Sequence, residues 1–430
     1  PFYNDIFVFE IIIFREITKF YEKDENICLF FCTASSFFVF LCLYSIKNHI
    51  NNIGMEFTIS SNALSSRLQT LAKVISSKNS LPILECFLFE VNNGSLTITS
   101  SDSENMMKST VALDSNSGEG AFAIQSQTML DAVRELPEQP LTVVVDTELA
   151  TIKVIYQGGE YNFTIMGAAE YPKMLTMPEN VNVITIDSGV LAANINRSIF
   201  ATAQDELRPV MNGIYFDLTP DALAIVASDG HKLVRNKNFM VKSDSPAAFI
   251  LPKKPANLLR SVLGKDGSDV VIKFDGRNAE VTFDEGVLTC RLIEGRYPNY
   301  NSVIPVANPN QLTIDRKALL SALKRVLPFG SKSSQLVKFK LDAGSLVISS
   351  EDIDYATKAR ETILCDYAGQ KMSIGFKGSS LTEILSNLDS EQVTVELADP
   401  SRAGIIVPTE QPENEDVLML LVPMLLNDAN

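Results

Sequence analysis

The chain has only two histidines, His49 and His231, and no tryptophan. Two histidines cannot build a multi-histidine metal centre, and they leave little room for imidazole-based catalysis. Six cysteines among 430 residues are too sparse for a disulfide framework. Positive charge is also short: 37 Lys and Arg stand against 52 Asp and Glu, a formal charge of −15. Such a chain does not coat itself onto a nucleic acid by bulk charge, so a role of that kind rests on a local cationic surface or on topology. Apolar residues make up 46% and charged residues 21%, which excludes disorder and predicts a folded chain. At about 150 residues per domain, the length predicts roughly three domains.

Residues 1–54 differ from the rest. They hold ten of the 24 phenylalanines and three of the six cysteines, Cys28, Cys32 and Cys42. The 19 residues from Cys28 to Ile46 carry no charge, which by length alone resembles a membrane span. No methionine precedes Met55, and ordinary strand and helix patterns begin there. The preferred reading is that Met55 initiates the protein and that 1–54 is an upstream or non-native leader. The competing reading is a membrane anchor carrying a repeat protein that binds other proteins. A signal peptide fits less well, because no small-residue cleavage site follows the apolar run.

The remaining 376 residues repeat three times. A strand leading into a helix starts at Phe57-Thr-Ile-Ser, Ile184-Thr-Ile-Asp and Leu312-Thr-Ile-Asp, with spacings of 127 and 128. A strand ending in an acidic turn runs Leu96–Asp102, Leu223–Asp229 and Leu346–Asp352, with spacings of 127 and 123. A second strand-to-helix junction starts at Phe122, Phe249 and Met372, again 127 and 123 apart. Three markers at nearly one offset predict three like units: 55–181, 182–309 and 310–430. Apolar periodicity predicts helices over about 64–76, 127–136, 188–200, 253–263, 315–327 and 378–388. Ser126 and Asp187 read as helix caps, and Pro137 and Pro328 as residues just past helix ends. Short β-branched runs separated by Asn93-Gly94 and Asp275-Gly276 turns fill the rest. The predicted class is α+β: three similar domains, each with antiparallel sheet and two helices packed on one face.

Within the six helical segments lie 11 Lys and Arg but four Asp and Glu, so the helices net +7 while everything else nets −22. Cationic helices in an acidic body fit a surface that faces nucleic acid. The competing reading is that Lys and Arg simply solvate outer helix faces. There is no recognition-helix or zinc-finger signature, which excludes sequence-specific readout by those devices. Two copies of a three-unit chain supply twelve helices. At about 10 Å each, twelve helices ring a bore on the order of 28 Å, enough for a duplex roughly 20 Å across.

Ser228-Asp229-Gly230-His231 invites a hydrolase reading. Residues this close on one strand-turn do not point at each other as a triad, and a turn explains them better. Gly158-Gly159 and the Gly118/Gly120 pair lack the downstream helix and lysine of a phosphate loop. Cys86, Cys290 and Cys365 read as core.

Lys78-Asn-Ser-Leu-Pro-Ile-Leu84, Ala227-Ser-Asp-Gly-His-Lys-Leu233, Leu292-Ile-Glu-Gly-Arg-Tyr-Pro-Asn-Tyr300 and Val422-Pro-Met424 together resemble the bacterial DNA polymerase III beta-subunit family, the sliding clamps. The resemblance covers residues 55–426. It implies a head-to-tail homodimer ring around duplex DNA, with helices lining the channel and sheets outside. It further implies a cytoplasmic accessory subunit with no cofactor and no active site of its own. Its partners would be double-stranded DNA, the polymerase III catalytic subunit, a clamp loader, and other polymerases and repair proteins that dock through short peptides. Family DNA contacts carry over to Lys78, Gln204 and Arg208, and the helix charges add Lys253, Lys254, Arg197 and Lys324. The implied peptide pocket comprises Met211, Ser228, Gly230, His231, Lys232, Leu233, Pro298, Ser302, Val303, Leu336, Lys377, Ser380, Val422, Pro423 and Met424. Lys232 and Ser302 stand where the family often has Arg, and Ser380 stands where it often has a gating Tyr. Residues 427–430 extend past the usual end and would crowd the pocket mouth. Tyr161 and Phe163, with Leu327 and Phe329 on the other side, match the implied dimer contact.

Overall fold

The computed structural model describes residues 54–76, 81–173, 177–178, 180–264, 267–284 and 286–426. The leader reading of 1–54 (Gly54 apart), the DNA contact expected at Lys78 and the expected effect of the 427–430 tail therefore lie outside the described residues.

The same local event starts each unit. Strand Glu56–Ser60 enters helix α1 (Ser61–Leu71). Helix α2 spans Ser126–Arg134. Strand Asn182–Asp187 enters α3 (Ser188–Ile199), and α4 is Lys253–Val262. Strand Asn310–Asp315 enters α5 (Arg316–Val326), and α6 is Gly378–Ser386. Ser60 Oγ accepts the Ala63 N–H at 3.1 Å, Asp187 Oδ1 that of Val190 at 2.9 Å, and Asp315 Oδ1 that of Ala318 at 2.6 Å. Each cap satisfies a free amide of the first turn and fixes where the helix begins.

These caps correct two sequence readings. The first helix begins at Ser61 rather than 64, and it gives way to turns after Leu71: Val74 donates to the Leu71 carbonyl and Ile75 to that of Ala72. Ser126 is not a cap. It is the buried first residue of α2, and the Gln125 side chain caps the helix by accepting the Thr128 N–H at 2.6 Å.

Hydrogen-bond register aligns the units more exactly than sequence spacing. Phe89 lies opposite Ile98, Phe216 opposite Ile225 and Phe339 opposite Ile348. On their other side these phenylalanines face Phe122, Phe249 and Ile374. Ile374, not Met372, therefore corresponds to Phe249, and the third marker's second spacing is 125. Phe376, two residues on, supplies the ring that Phe339 meets edge-on at 5.6 Å. The three central phenylalanines are fully buried. Burying one such side chain stabilises by roughly 1.5–3 kcal/mol.

The helices pack in pairs, α1 on α2, α3 on α4 and α5 on α6, against four antiparallel sheets. Two sheets have nine strands and run from one unit into the next. Asn105–Ala112 of the first unit pairs with Gly286–Arg291 of the second. Lys232–Asn238 of the second pairs with Glu415–Leu421 of the third. The corresponding strands at the chain's two ends are Thr357–Leu364 and Gly159–Thr164. Each is the last strand of its sheet, a four-stranded and a five-stranded one. No helix among the described residues is long and apolar enough to cross a membrane.

Candidate functional site

Some of the expected residues come together in two regions. The first is cationic. The 72–75 turns after α1 and the start of α4 bring Lys73, Lys253 and Lys254 around a cleft of about 420 Å³, with Asn257, Leu258 and Ser261 completing it. The cleft lies where the first unit meets the second, so the basic helix faces of neighbouring units converge. Lys253 Nζ reaches the Thr202 and Ala203 carbonyls at 3.5 and 3.4 Å. Burial lowers its pKa, and the nearby Lys232 charge adds to that. Lys254 is partly committed. Its Nζ donates to the Val74 carbonyl at 2.7 Å and pairs with Asp102 at 2.5 Å, tying α4 to the first unit. Gln204 is exposed, and Arg208 is half exposed and paired with Asp205 at 2.8 Å. Lys324 is exposed on α5.

Arg197 requires correction as a DNA contact. It is buried, and its guanidinium pairs with Glu415 at 2.7 Å, while Asn194 donates to the other carboxylate oxygen at 2.6 Å. The pair joins α3 to the third unit's strand and leaves no cation for a phosphate. Lys73, Arg260 and Lys317 belong to the cationic helical segments, and no motif in the sequence singles them out. All three are exposed, and Lys73 lines the cleft. No local signal separates them from Arg197, which likewise has no acidic residue three or four positions away on its helix.

Asp102 gives this boundary a pH dependence. Burial raises its pKa, but hydrogen bonds from Lys254 and Asn105 outweigh burial and hold the carboxyl below its ordinary value. A depressed carboxylate stabilises the fold above its unfolded pKa and loses that stabilisation as pH falls through the folded pKa. Asp102→Asn should therefore be less stable than the parent chain near neutral pH, and the gap should start to narrow as pH falls below about 4. Urea unfolding at pH 7 and pH 3 measures both.

The second region is the expected peptide pocket. The turn after strand Leu223–Ser228 is built by Asp229, whose carboxylate accepts the His231 and Lys232 N–H groups at 2.8 and 2.9 Å. Ser228 Oγ donates to the Lys232 carbonyl at 2.9 Å and accepts the Gly230 N–H, so it is engaged by the turn. Gly230 has φ +89°, which favours glycine. Lys232 is buried between Asp229 at 2.9 Å and Glu383 of α6 at 3.1 Å. Asp229 titrates low, because hydrogen bonds led by Lys232 outweigh its burial.

The chain end closes this region. Val422 N–H donates to the His231 carbonyl at 2.9 Å, and Met424 N–H to the Gly375 carbonyl at 2.8 Å. Leu336, Met424 and Leu426 crowd Gly375, where an added Cβ would fall within 2.9 Å of all three. Leu336 lies opposite Lys377 on the neighbouring strand, and Ser380 is buried on α6. Leu233 packs in a cluster with Tyr297 and Tyr300, the rings flanking Pro298. Met211 is buried, and its carbonyl accepts the Ala203 N–H at 2.8 Å. Ser302 is exposed and donates to the Asn299 carbonyl at 2.7 Å, and Val303 and Val422 are exposed as well. Pro423, next to Val422 in the chain, is half buried. Tyr161 and Phe163 lie on the free strand Gly159–Thr164. Phe329 sits beside the other free strand, where its carbonyl accepts the Thr357 hydroxyl at 3.0 Å, and Leu327 begins the same short 3-10 turn. Cys86 and Cys290 are buried and Cys365 is half buried; burial pushes the Cys290 thiol up to about 12.

Comparison with known proteins adds independent findings. Three family descriptions match in order: DNA polymerase III beta subunit, N-terminal domain, over 55–175; central domain over 185–299; and C-terminal domain over 301–424. The beta sliding clamp of Pseudomonas aeruginosa is 26% identical over 375 residues, covering 86% of this chain and 100% of that protein. The beta sliding clamp of Haemophilus influenzae is 27% identical over 368 residues, covering 85% of this chain and 99% of that one. A crystal structure of the DnaN sliding clamp from Pseudomonas aeruginosa bound to griselimycin matches with a TM-score of 0.82 at 25% identity, covering 87% of this chain and all of that one.

Proposed function

This chain belongs to the DNA polymerase III beta-subunit family, and from that premise we propose that two copies close head to tail into a ring that duplex DNA threads. It is a processivity subunit, a sliding clamp with no catalysis of its own, and its partners are DNA, polymerase III, the clamp loader and a second copy of itself. We assign its three units to 55–181, 182–309 and 310–430 and its place of work to the cytoplasm.

One observation carries the ring. Within the chain, each boundary between units is made by one strand of each, 105–112 with 286–291 and 232–238 with 415–421. The third set of equivalent strands, 357–364 and 159–164, is left as two free edges. Free edges present unpaired N–H and C=O groups that a partner strand satisfies. A second copy supplies the missing partner to each, and the ring closes with every boundary strand paired.

Retention on DNA then needs no tight contact. Lys73, Lys253, Lys254, Gln204, Arg208 and Lys324 offer phosphate contacts that water can mediate and salt can screen. Weak contacts keep the ring mobile along the duplex, and closure keeps it from leaving. Peptide segments of polymerase and loader dock at the region where the chain end meets Leu336 and His231. Residues 55–430, loaded onto nicked circular DNA, should stay bound through a salt wash and leave once the circle is cut. Equal loss from circle and linear DNA would refute encirclement.

A further inference from the structure

The internal repeat determines which residues meet at the contact between two copies. Each unit carries two boundary strands, and the ladders inside the units align them. Ser109, Asn236 and Glu361 occupy one position, opposite Ile98, Ile225 and Ile348. Tyr161, Leu288 and Met419 occupy another, opposite Val154, Val281 and Ile406. At the first boundary Leu288 faces Met107, two residues before Ser109. At the second, Met419 faces Val234, two residues before Asn236. Two independent boundaries thus share one register.

We infer that the contact between two copies of this chain repeats that register, with Tyr161 opposite the partner copy's Ala359 and Glu160 opposite its Arg360, and that the Glu160–Arg360 pair specifies it. This rests on the ring reading above. The same register sets Gly159 opposite Glu361, Asn162 opposite Lys358 and Phe163 opposite Thr357.

The chemistry at each position agrees. The place of Arg360 is cationic in all three units, held by Lys108, Arg235 and Arg360. At the second boundary Arg235 already reaches across it, pairing with Asp416 at 2.5 Å. Asp416 is the diagonal neighbour of Leu418, the residue directly opposite Arg235. At the position of Leu418 the first unit has Glu160, so the acid moves from diagonal to directly opposite. Arg360 is exposed and makes no ion pair with any described residue. Glu361, its neighbour on the strand, is taken by Arg325. Glu160 is exposed and leans on Lys153 at 3.1 Å, so docking Arg360 builds a cation–anion–cation row. On the other face Tyr161 is stacked on Tyr156 at 4.9 Å, and Ala359 is the small residue that leaves these rings room.

Charge reversal tests the pairing in the whole chain by sedimentation. Glu160→Arg alone and Arg360→Glu alone should each weaken the dimer by roughly tenfold or more, because like charges then face each other at both contacts. An equimolar mixture of the two variants should recover the dimer, since every contact in a head-to-tail ring then joins opposite charges. The double variant should recover it too. As a direct probe of register, Asn162→Cys with Lys358→Cys should oxidise to a covalent dimer, because directly opposite positions suit disulfide geometry. Unchanged single variants, no recovery on mixing, or cross-linking of Asn162→Cys with Thr362→Cys instead would overturn the pairing while leaving the ring intact. A parent chain that stays monomeric at micromolar concentration would overturn the ring itself.

Discussion

Glu415→Ala should destabilise the chain by about 3–5 kcal/mol, the cost of leaving one member of a buried ion pair alone. Glu415 accepts from Arg197 at 2.7 Å and from Asn194 at 2.6 Å, and all three are buried. Removing the carboxylate leaves the buried guanidinium without its acid and one Asn194 amide hydrogen unpaired, while the other still reaches the Val190 carbonyl at 2.9 Å. The loss belongs to the boundary between the second and third units, because Arg197 and Asn194 sit on α3 and Glu415 on the strand Glu415–Leu421. Arg197→Met/Glu415→Leu should recover much of the loss, since replacing both charges with apolar groups removes the desolvation cost as well. Urea denaturation of the three chains separates these outcomes. Equal stability of Glu415→Ala and the parent would show that water reaches the pair. DNA retention by the double variant should match the parent's, because Arg197 has no cation to offer the duplex.

That pair also marks where sequence reading stopped. The repeats were legible because each unit spells the same strand-to-helix start, and two of its three caps are Asp at the same place. The α+β class followed from period-2 and period-3.6 patterns that do not need a partner. Arg197 was misjudged because its acid lies 218 residues away, and nothing local to α3 announces it. The start of α2 was misplaced for a local reason: Gln is an uncommon cap, so Ser126 drew the assignment that belonged to Gln125. The strands that cross from unit to unit were also invisible, since cross-strand register depends on partners far apart in the chain. The pocket residues came from resemblance, and composition alone singles out none of them. Their placement beside the chain end is geometry that no spacing rule supplies.

Removing Val422–Asn430 should abolish peptide docking while leaving the dimer intact. The segment is held to two different units: Val422 to the His231 carbonyl in the second, and Met424 to the Gly375 carbonyl in the third. It thereby bridges the turn at His231 and the strand at Gly375, where Met424 and Leu336 meet. A docked peptide gains most of its affinity by burying one or two Leu or Phe side chains, at about 1.5–3 kcal/mol each. Without Pro423 and Met424 those side chains meet water on one face, and affinity should fall on the order of a hundredfold or more. The free edges 159–164 and 357–364 are built without this segment, so sedimentation should still report a dimer. Met424→Ala keeps the backbone bond to Gly375 and removes only the side chain, so its loss should be smaller, about tenfold. A fluorescent peptide carrying a Leu-Phe pair, titrated against the three chains, reads both effects. Unchanged affinity after the truncation would move the docking site elsewhere on the molecule.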